Sequence, residues 1–86
     1  MSAQRGQETI LDVRTAEEFA TAHVPGAVNI PVQELMSRLT ELGSKDTPIT
    51  IYCRSGARSA TATAMLKGAG FSSVTDIGPM SCWRAR

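Results

Sequence analysis

ITIYCRSGARSATATAMLKGAG, residues 49–70, combines the signals of a strand and of a helix with a short loop between them. Ile49–Tyr52 is apolar and largely β-branched, which is typical of a strand buried on both faces. From Ser59 onward, small residues favour a helix that packs close to a sheet. Cys53 stands where the predicted strand ends, so the segment predicts a strand–loop–helix unit with a thiol in the loop.

The preceding half of the chain repeats this alternation. TILDV (9–13) predicts a buried strand. TAEE (15–18) is a capping-box signature and predicts a short helix through about Thr21. HVPGA (23–27) predicts a turn, and AVNI (27–30) predicts a second short strand.

Further elements follow on both sides of the cysteine. Apolar residues at helical spacing predict a core-facing helix before Gly43; they are Val32, Leu35, Met36, Leu39 and Leu42. After residue 70, SVTDI (73–77) predicts a fourth strand, GPM (78–80) a turn and SCWRAR (81–86) a last helical turn. The pattern predicts an α/β fold, with a small, mostly parallel sheet flanked by helices.

Composition limits the classes of function. The 86 residues predict a single domain, 1–86, with a flexible N-terminal segment over 1–8. A net charge of +1 gives no general attraction to nucleic acid or membranes, and we expect a monomer or weak dimer. The sequence contains no apolar run of membrane-spanning length, and its N-terminus lacks the apolar segment of a signal peptide. We therefore expect a cytoplasmic protein, or a periplasmic one if a signal peptide has been removed.

Two cysteines form no disulfide framework and lack the spacing of a zinc site, so we expect no structural metal. Cys53 lies where parallel sheets place their chemistry, at a strand's carboxyl end before a helix. The helix N-terminus, Arg54 and Arg58 would favour the thiolate, and such settings lower a thiol pKa to roughly 3.5–7.5. Gly56 lets the loop curl. A buried structural cysteine is the alternative interpretation.

Three stretches resemble the short, single-domain members of the rhodanese-like sulfurtransferase family. They are LDVRTAEEFATAHVPGAVNIP (11–31), ITIYCRSGARSATATAMLKGAGF (49–71) and the weaker VTDIGPMSCW (74–83). The C-terminus departs from the family pattern, with one glycine before the aromatic segment and only three residues after Trp83.

The resemblance implies that Cys53 takes the sulfane sulfur of thiosulfate as a persulfide and passes it to cyanide or a thiol, without a cofactor. It also implies that the loop binds the donor, with Arg58 fixing the loop and Arg54 attracting the dianion. The donor-binding residues would be Arg54, Ser55, Gly56, Ala57 and Arg58. A sulfur-accepting protein is a further expected partner.

Two other functions compete with this interpretation. One is a sulfur-carrier or docking module without enzymatic turnover. The other is a cysteine phosphatase or arsenate reductase, whose loops have five residues between Cys and Arg. Only four residues separate Cys53 from Arg58, and Tyr52 replaces the usual preceding histidine.

Other residues are predicted to act indirectly or not at all in catalysis. Asp12 and Arg14 are expected to support the loop from the neighbouring strand end, or to form an exposed ion pair at the rim. His23 is expected to belong to a structural turn. Cys82 is expected to be a terminal thiol, or else a residue that exchanges sulfur or pairs with Cys53.

Overall fold

The computed structural model describes residues 8–81, and these form a four-stranded, entirely parallel sheet. This confirms the predicted α/β class. In space the strands follow the order β2-β1-β3-β4. Their bounds are Thr9–Asp12 for β1, Val28–Asn29 for β2, Ile49–Cys53 for β3 and Val74–Pro79 for β4.

Two α-helices connect these strands. Helix α1, Ala16–Thr21, begins with the predicted capping box, in which Thr15 and Glu18 each accept a backbone N–H of the other. Helix α2, Ala57–Gly68, starts slightly before the predicted Ser59. Its buried positions lie about one turn apart, at Ser59, Ala62 and Leu66. The helix therefore packs a narrow stripe of mostly small side chains against the sheet.

The predicted helix over residues 32–42 is two shorter 3-10 helices, Val32–Ser37 and Leu39–Leu42. A 3-10 helix has three residues per turn, so residues i and i+3 share a face. Each 3-10 helix buries one leucine, Leu35 in the first and Leu42 in the second. Met36, predicted to be in the core, is 54% exposed. Apolar spacing of three predicts both helix types, which is why the sequence did not separate them.

Strand β4 extends into the predicted turn at residues 78–80 and ends at Pro79. Its pairing with β3 shifts after Asp76, so that Gly78 lies opposite Tyr52 and one residue bulges out. Gly78 has φ +77°. Pro79 is tolerated because β4 is an edge strand in the sheet, where a missing N–H costs no ladder bond.

The order of the strands fixes the place of the functional loop. From β1 the chain moves to β2 on one side, and later returns to β3 on the other side of β1. The connections therefore reverse direction between β1 and β3. Parallel sheets form a crevice at the carboxyl ends of such strands. Asp12 and Cys53 end these two strands and so lie at that edge of the sheet.

Some expectations concern residues outside 8–81. The flexible segment over 1–8 lies almost entirely there, as do the last helical turn after Ser81, Trp83 and Cys82. Within the described range, no helix is both long and apolar enough to span a bilayer.

Tyr52 ties β3 to the turn after α1. Its ring is fully buried, and its hydroxyl accepts the buried Val24 N–H at 3.0 Å. Burial raises the pKa of Tyr52 to about 12, so the hydroxyl stays neutral at physiological pH. The bond joins residues that are 28 positions apart.

We expect Tyr52→Phe to lower the free energy of unfolding by about 1–3 kcal/mol, because the Val24 N–H would stay buried without an acceptor. Urea titration followed by circular dichroism measures this change. A Phe variant as stable as the parent would show that the hydroxyl does not hold the turn.

Candidate active site

The Cys53 sulfur lies inside the loop that joins β3 to α2. The Gly56 N–H donates to Sγ at 2.8 Å, and Cys53 has no exposed surface. Gly56 adopts φ +103°, a conformation that favours glycine, and a Cβ there would lie 3.8 Å from Pro79 Cδ. The tight turn between strand and helix therefore brings backbone donors onto the sulfur.

The pKa of the Cys53 thiol is lowered by hydrogen bonds. Burial alone raises it, but the Ser59 hydroxyl and the N–H groups of Ser59, Gly56 and Ser55 together outweigh that effect. These donors belong to the loop and the first turn of α2, so the predicted contribution of the helix N-terminus is present. The pKa of Arg58 is raised mainly by its hydrogen bonds to Glu18 and also by the charge of Cys53, so this arginine interacts with the thiolate as well.

Ser59 was missed in the sequence analysis as a site residue. It is fully buried, its Oγ lies 3.4 Å from Cys53 Sγ, and its hydroxyl donates to the Gly56 carbonyl at 3.1 Å. When the thiol loses its proton, rotation of this hydroxyl can redirect its hydrogen to the sulfur. The available signal was its position, six residues after the cysteine in the first turns of the helix.

We expect Ser59→Ala to raise the pKa of Cys53, since the hydroxyl donor is lost while the backbone donors remain. The midpoint of the alkylation rate against pH, in a Cys82→Ser background, would move upward. Ser55→Ala is the matched control, because Ser55 contributes its backbone N–H and its residue is exposed. An unchanged midpoint for Ser59→Ala would contradict the role of the hydroxyl.

The two loop arginines have different surroundings. Arg58 Nη1 and Nη2 donate to the two carboxylate oxygens of Glu18, at 2.9 and 3.2 Å. The Arg54 side chain is 78% exposed, with Nη1 at 3.9 Å from Glu18. Arg58 therefore anchors the loop to α1, whereas Arg54 extends toward solvent.

Glu18 is the second residue that the sequence analysis missed as part of the site, because its only visible signal was the capping box. The hydrogen bond from Arg58, followed by that from the Thr15 N–H, lowers the pKa of Glu18 to about 2. It is therefore ionised across the physiological pH range. This carboxylate therefore reduces the positive electrostatic potential that Arg54 and Arg58 would otherwise create at the loop.

Asp12 and Arg14 form a buried pair rather than an exposed ion pair at the rim. Their side chains are 0% and 7% exposed, with Arg14 Nη2 at 2.7 Å from Asp12 Oδ2. Arg14 Nη2 also donates to the Ala22 carbonyl at 2.6 Å, and its guanidinium lies 5.6 Å from the centre of the Tyr52 ring. The pair thereby holds the segment after α1 against the sheet.

An open cleft of about 390 Å³ lies beside the loop. Its lining residues are Arg14, Glu18, Thr21, Ala22, Arg54 and Met80. The exposed Ala57 begins α2, and Ser55 is also exposed. His23 does not line the cleft; its ring stacks on Phe19, and Nδ1 donates to the Phe19 carbonyl at 2.8 Å.

A metal site is not formed by the side chains of residues 8–81, which contain no group of three or more His, Cys, Asp or Glu able to hold an ion. The chemistry that this arrangement supports is nucleophilic. It consists of a thiol whose pKa is lowered by the Ser59 hydroxyl and by backbone N–H groups, and of the exposed Arg54 guanidinium beside the cleft.

Comparison with known proteins identifies the family. The sequence profile of the rhodanese-like domain matches residues 1–83. The chain belongs to this family. Among solved structures, an E. coli rhodanese with anions superimposes with a TM-score of 0.81 at 33% identity, covering 86% of this chain and 88% of that one. A rhodanese-like domain from Anabaena has a TM-score of 0.82 at 29% identity, covering 91% of both chains.

Related sequences include a putative sulfur carrier protein and a thiosulfate sulfurtransferase. The "Putative sulfur carrier protein YrkF" of Bacillus subtilis is 44% identical over 78 residues, covering 90% of this chain and 42% of YrkF. The thiosulfate sulfurtransferase PspE of Escherichia coli is 35% identical over 69 residues, covering 79% of this chain and 66% of PspE. The rhodanese-like chain therefore spans less than two thirds of each of these relatives.

Proposed function

We propose that this rhodanese-like domain is a thiosulfate sulfurtransferase that works through a persulfide on Cys53. The observation that carries the proposal is the Gly56 N–H bond to Cys53 Sγ, because it is one of several loop hydrogen bonds that favour an anionic sulfur. The similarity to PspE supports thiosulfate as the donor. The four-residue spacing between Cys53 and Arg58 disfavours a phosphatase.

In the first step, the Cys53 thiolate attacks the outer sulfur of thiosulfate. A new sulfur–sulfur bond forms, the donor's own sulfur–sulfur bond breaks, and its electron pair leaves with sulfite. In the second step, cyanide or a thiolate attacks the terminal sulfur of the persulfide and the Cys53 thiolate is restored. No external oxidant or reductant is required, and the mechanism is ping-pong.

The loop groups have separable roles in these steps. The N–H groups of Ser55, Gly56 and Ser59 stabilise negative charge on Cys53 and then on the persulfide. Arg54 attracts the dianion at the mouth. Since Cys53 has no exposed surface, the loop must shift for the donor's outer sulfur to reach Sγ. Asp12 and Arg14 hold the adjoining wall and touch no reacting atom.

We expect Cys53→Ser to abolish thiocyanate formation from thiosulfate and cyanide, because a hydroxyl cannot form a persulfide. Mass spectrometry of the parent after thiosulfate should show one added sulfur atom on the peptide that contains Cys53. Cys82→Ser is the matched control and should retain both signals. Residual activity of Cys53→Ser above a few per cent would contradict the proposal.

We expect Arg54→Ala to raise the KM for thiosulfate by about tenfold, with a smaller effect on kcat, because Arg54 guides the donor rather than the transition state. Steady-state kinetics at low and high salt measure this, and the difference should shrink as salt screens the charge. Lys67→Ala removes an equal charge from the far end of α2 and serves as the control. A fall in kcat with an unchanged KM would assign Arg54 to the chemical step instead.

A sulfur-carrier function is the second candidate, and the 44% identity to YrkF favours it. A carrier would also form the Cys53 persulfide but would release sulfur only to a protein acceptor. The two functions separate when the persulfide form is isolated and given cyanide or a small thiol. Rapid turnover indicates the enzyme, whereas a persistent persulfide indicates the carrier.

We place either activity in the cytoplasm, where reducing conditions keep Cys53 free.

A further inference from the structure

Both oxygens of Glu18 are directed at the guanidinium groups of the catalytic loop. The carboxylate receives two hydrogen bonds from Arg58 and lies within ion-pair distance of Arg54. Glu18 belongs to α1, whereas Arg54 and Arg58 belong to the loop and the first turn of α2. The negative charge is therefore supplied to the loop by a different element of the fold.

This pairing limits what Arg58 can offer to an anion. Two of its N–H groups already donate to a carboxylate, and the Glu18 side chain is only 22% exposed, so solvent screens the pair incompletely. A dianion that binds through Arg58 must compete with Glu18 or accept its repulsion. Arg54, by contrast, has most of its guanidinium in solvent.

We propose that Glu18 is a specificity-determining residue that masks the charge of Arg58 and so limits the affinity of the loop for dianions. The inference rests on the proposed thiosulfate chemistry, in which sulfite leaves from the site that thiosulfate entered. Groups that bind the donor's sulfonate end also retain sulfite. A masked Arg58 weakens both interactions and favours product release.

The location of Glu18 fits this role better than a purely structural one. It lines the cleft together with Arg54, so its charge faces the space through which the donor approaches. Its Oε1 also accepts the Thr15 N–H at 2.9 Å, which is the capping interaction of α1. A glutamine at this position can keep the cap, since Gln also occurs there in capping boxes.

A pair of alkylating reagents measures the charge near Cys53 without using the enzymatic reaction. Iodoacetate is an anion and iodoacetamide is neutral, but both alkylate the same thiolate. The ratio of their rates therefore cancels most of the effects of thiol pKa and loop opening. A Cys82→Ser background restricts the reaction to Cys53.

We expect Glu18→Gln to raise the iodoacetate-to-iodoacetamide ratio roughly threefold to tenfold at low salt, since it unmasks one positive charge. The KM for thiosulfate and the inhibition constant for sulfate should fall by similar factors. Glu17→Gln, an equal charge change at an exposed neighbouring position of α1, should leave the ratio within about twofold of the parent. Circular dichroism verifies that each variant is folded.

The double variant Glu18→Gln/Arg58→Gln removes both members of the pair and should return the ratio to within about twofold of the parent. If Glu18→Gln alone does not fold, the double variant still tests the inference. An iodoacetate-to-iodoacetamide ratio far below that of the parent would mean that Arg58 attracts anions despite Glu18. That result, or a Glu18→Gln ratio equal to that of Glu17→Gln, overturns the inference. If thiosulfate gives no persulfide but the ratios change as expected, the proposed function fails and the masking stands.

Discussion

The hydrogen bond from the Gly56 N–H to Cys53 Sγ closes the connection between β3 and α2, and the geometry of the site depends on it. The first N–H groups of a helix have no partner within the helix. Helix α2 has a glycine at its N-cap and no side-chain cap, so the cysteine sulfur accepts a bond that a capping side chain would otherwise accept. The same donors that let the helix begin thus stabilise an anionic sulfur.

A second dependence links α1 to this loop. A helix of six residues such as α1 is too short to be stable by itself, and in residues 16–21 none is buried. Its order comes from the capping box and from the contact of Glu18 with Arg58. The Arg14 bond to the Ala22 carbonyl fixes the segment that follows. Helix α1 is therefore positioned by polar contacts to the active-site wall, rather than by a core of its own.

Local sequence patterns predicted what depends on local geometry. The alternation of strands and helices, the capping box at Thr15 and the cysteine loop all arise from contacts over a few residues. The pairing of Glu18 with Arg58 spans 40 residues and leaves no local pattern. The 3-10 helices share their spacing of three with an α-helix, and the extension of β4 through Pro79 depends on its place at a sheet edge.

Ion pairs also determine how much positive charge the loop offers to an anion. Arg14 and Arg54 line the cleft, and Arg58 lies beside it in the first turn of α2. However, Arg14 is paired with Asp12, two residues before it, and Arg58 with Glu18, 40 residues before it. Counting basic residues in the loop therefore overestimates the attraction for an anion. Ser59 and the backbone N–H groups lower the pKa of the thiol, and the charge of Arg58 interacts with the same sulfur. Hydrogen-bond donors around Cys53 therefore lower the pKa of the thiol, whereas Arg54, whose side chain is 78% exposed, is the loop charge most accessible to an anion from solvent.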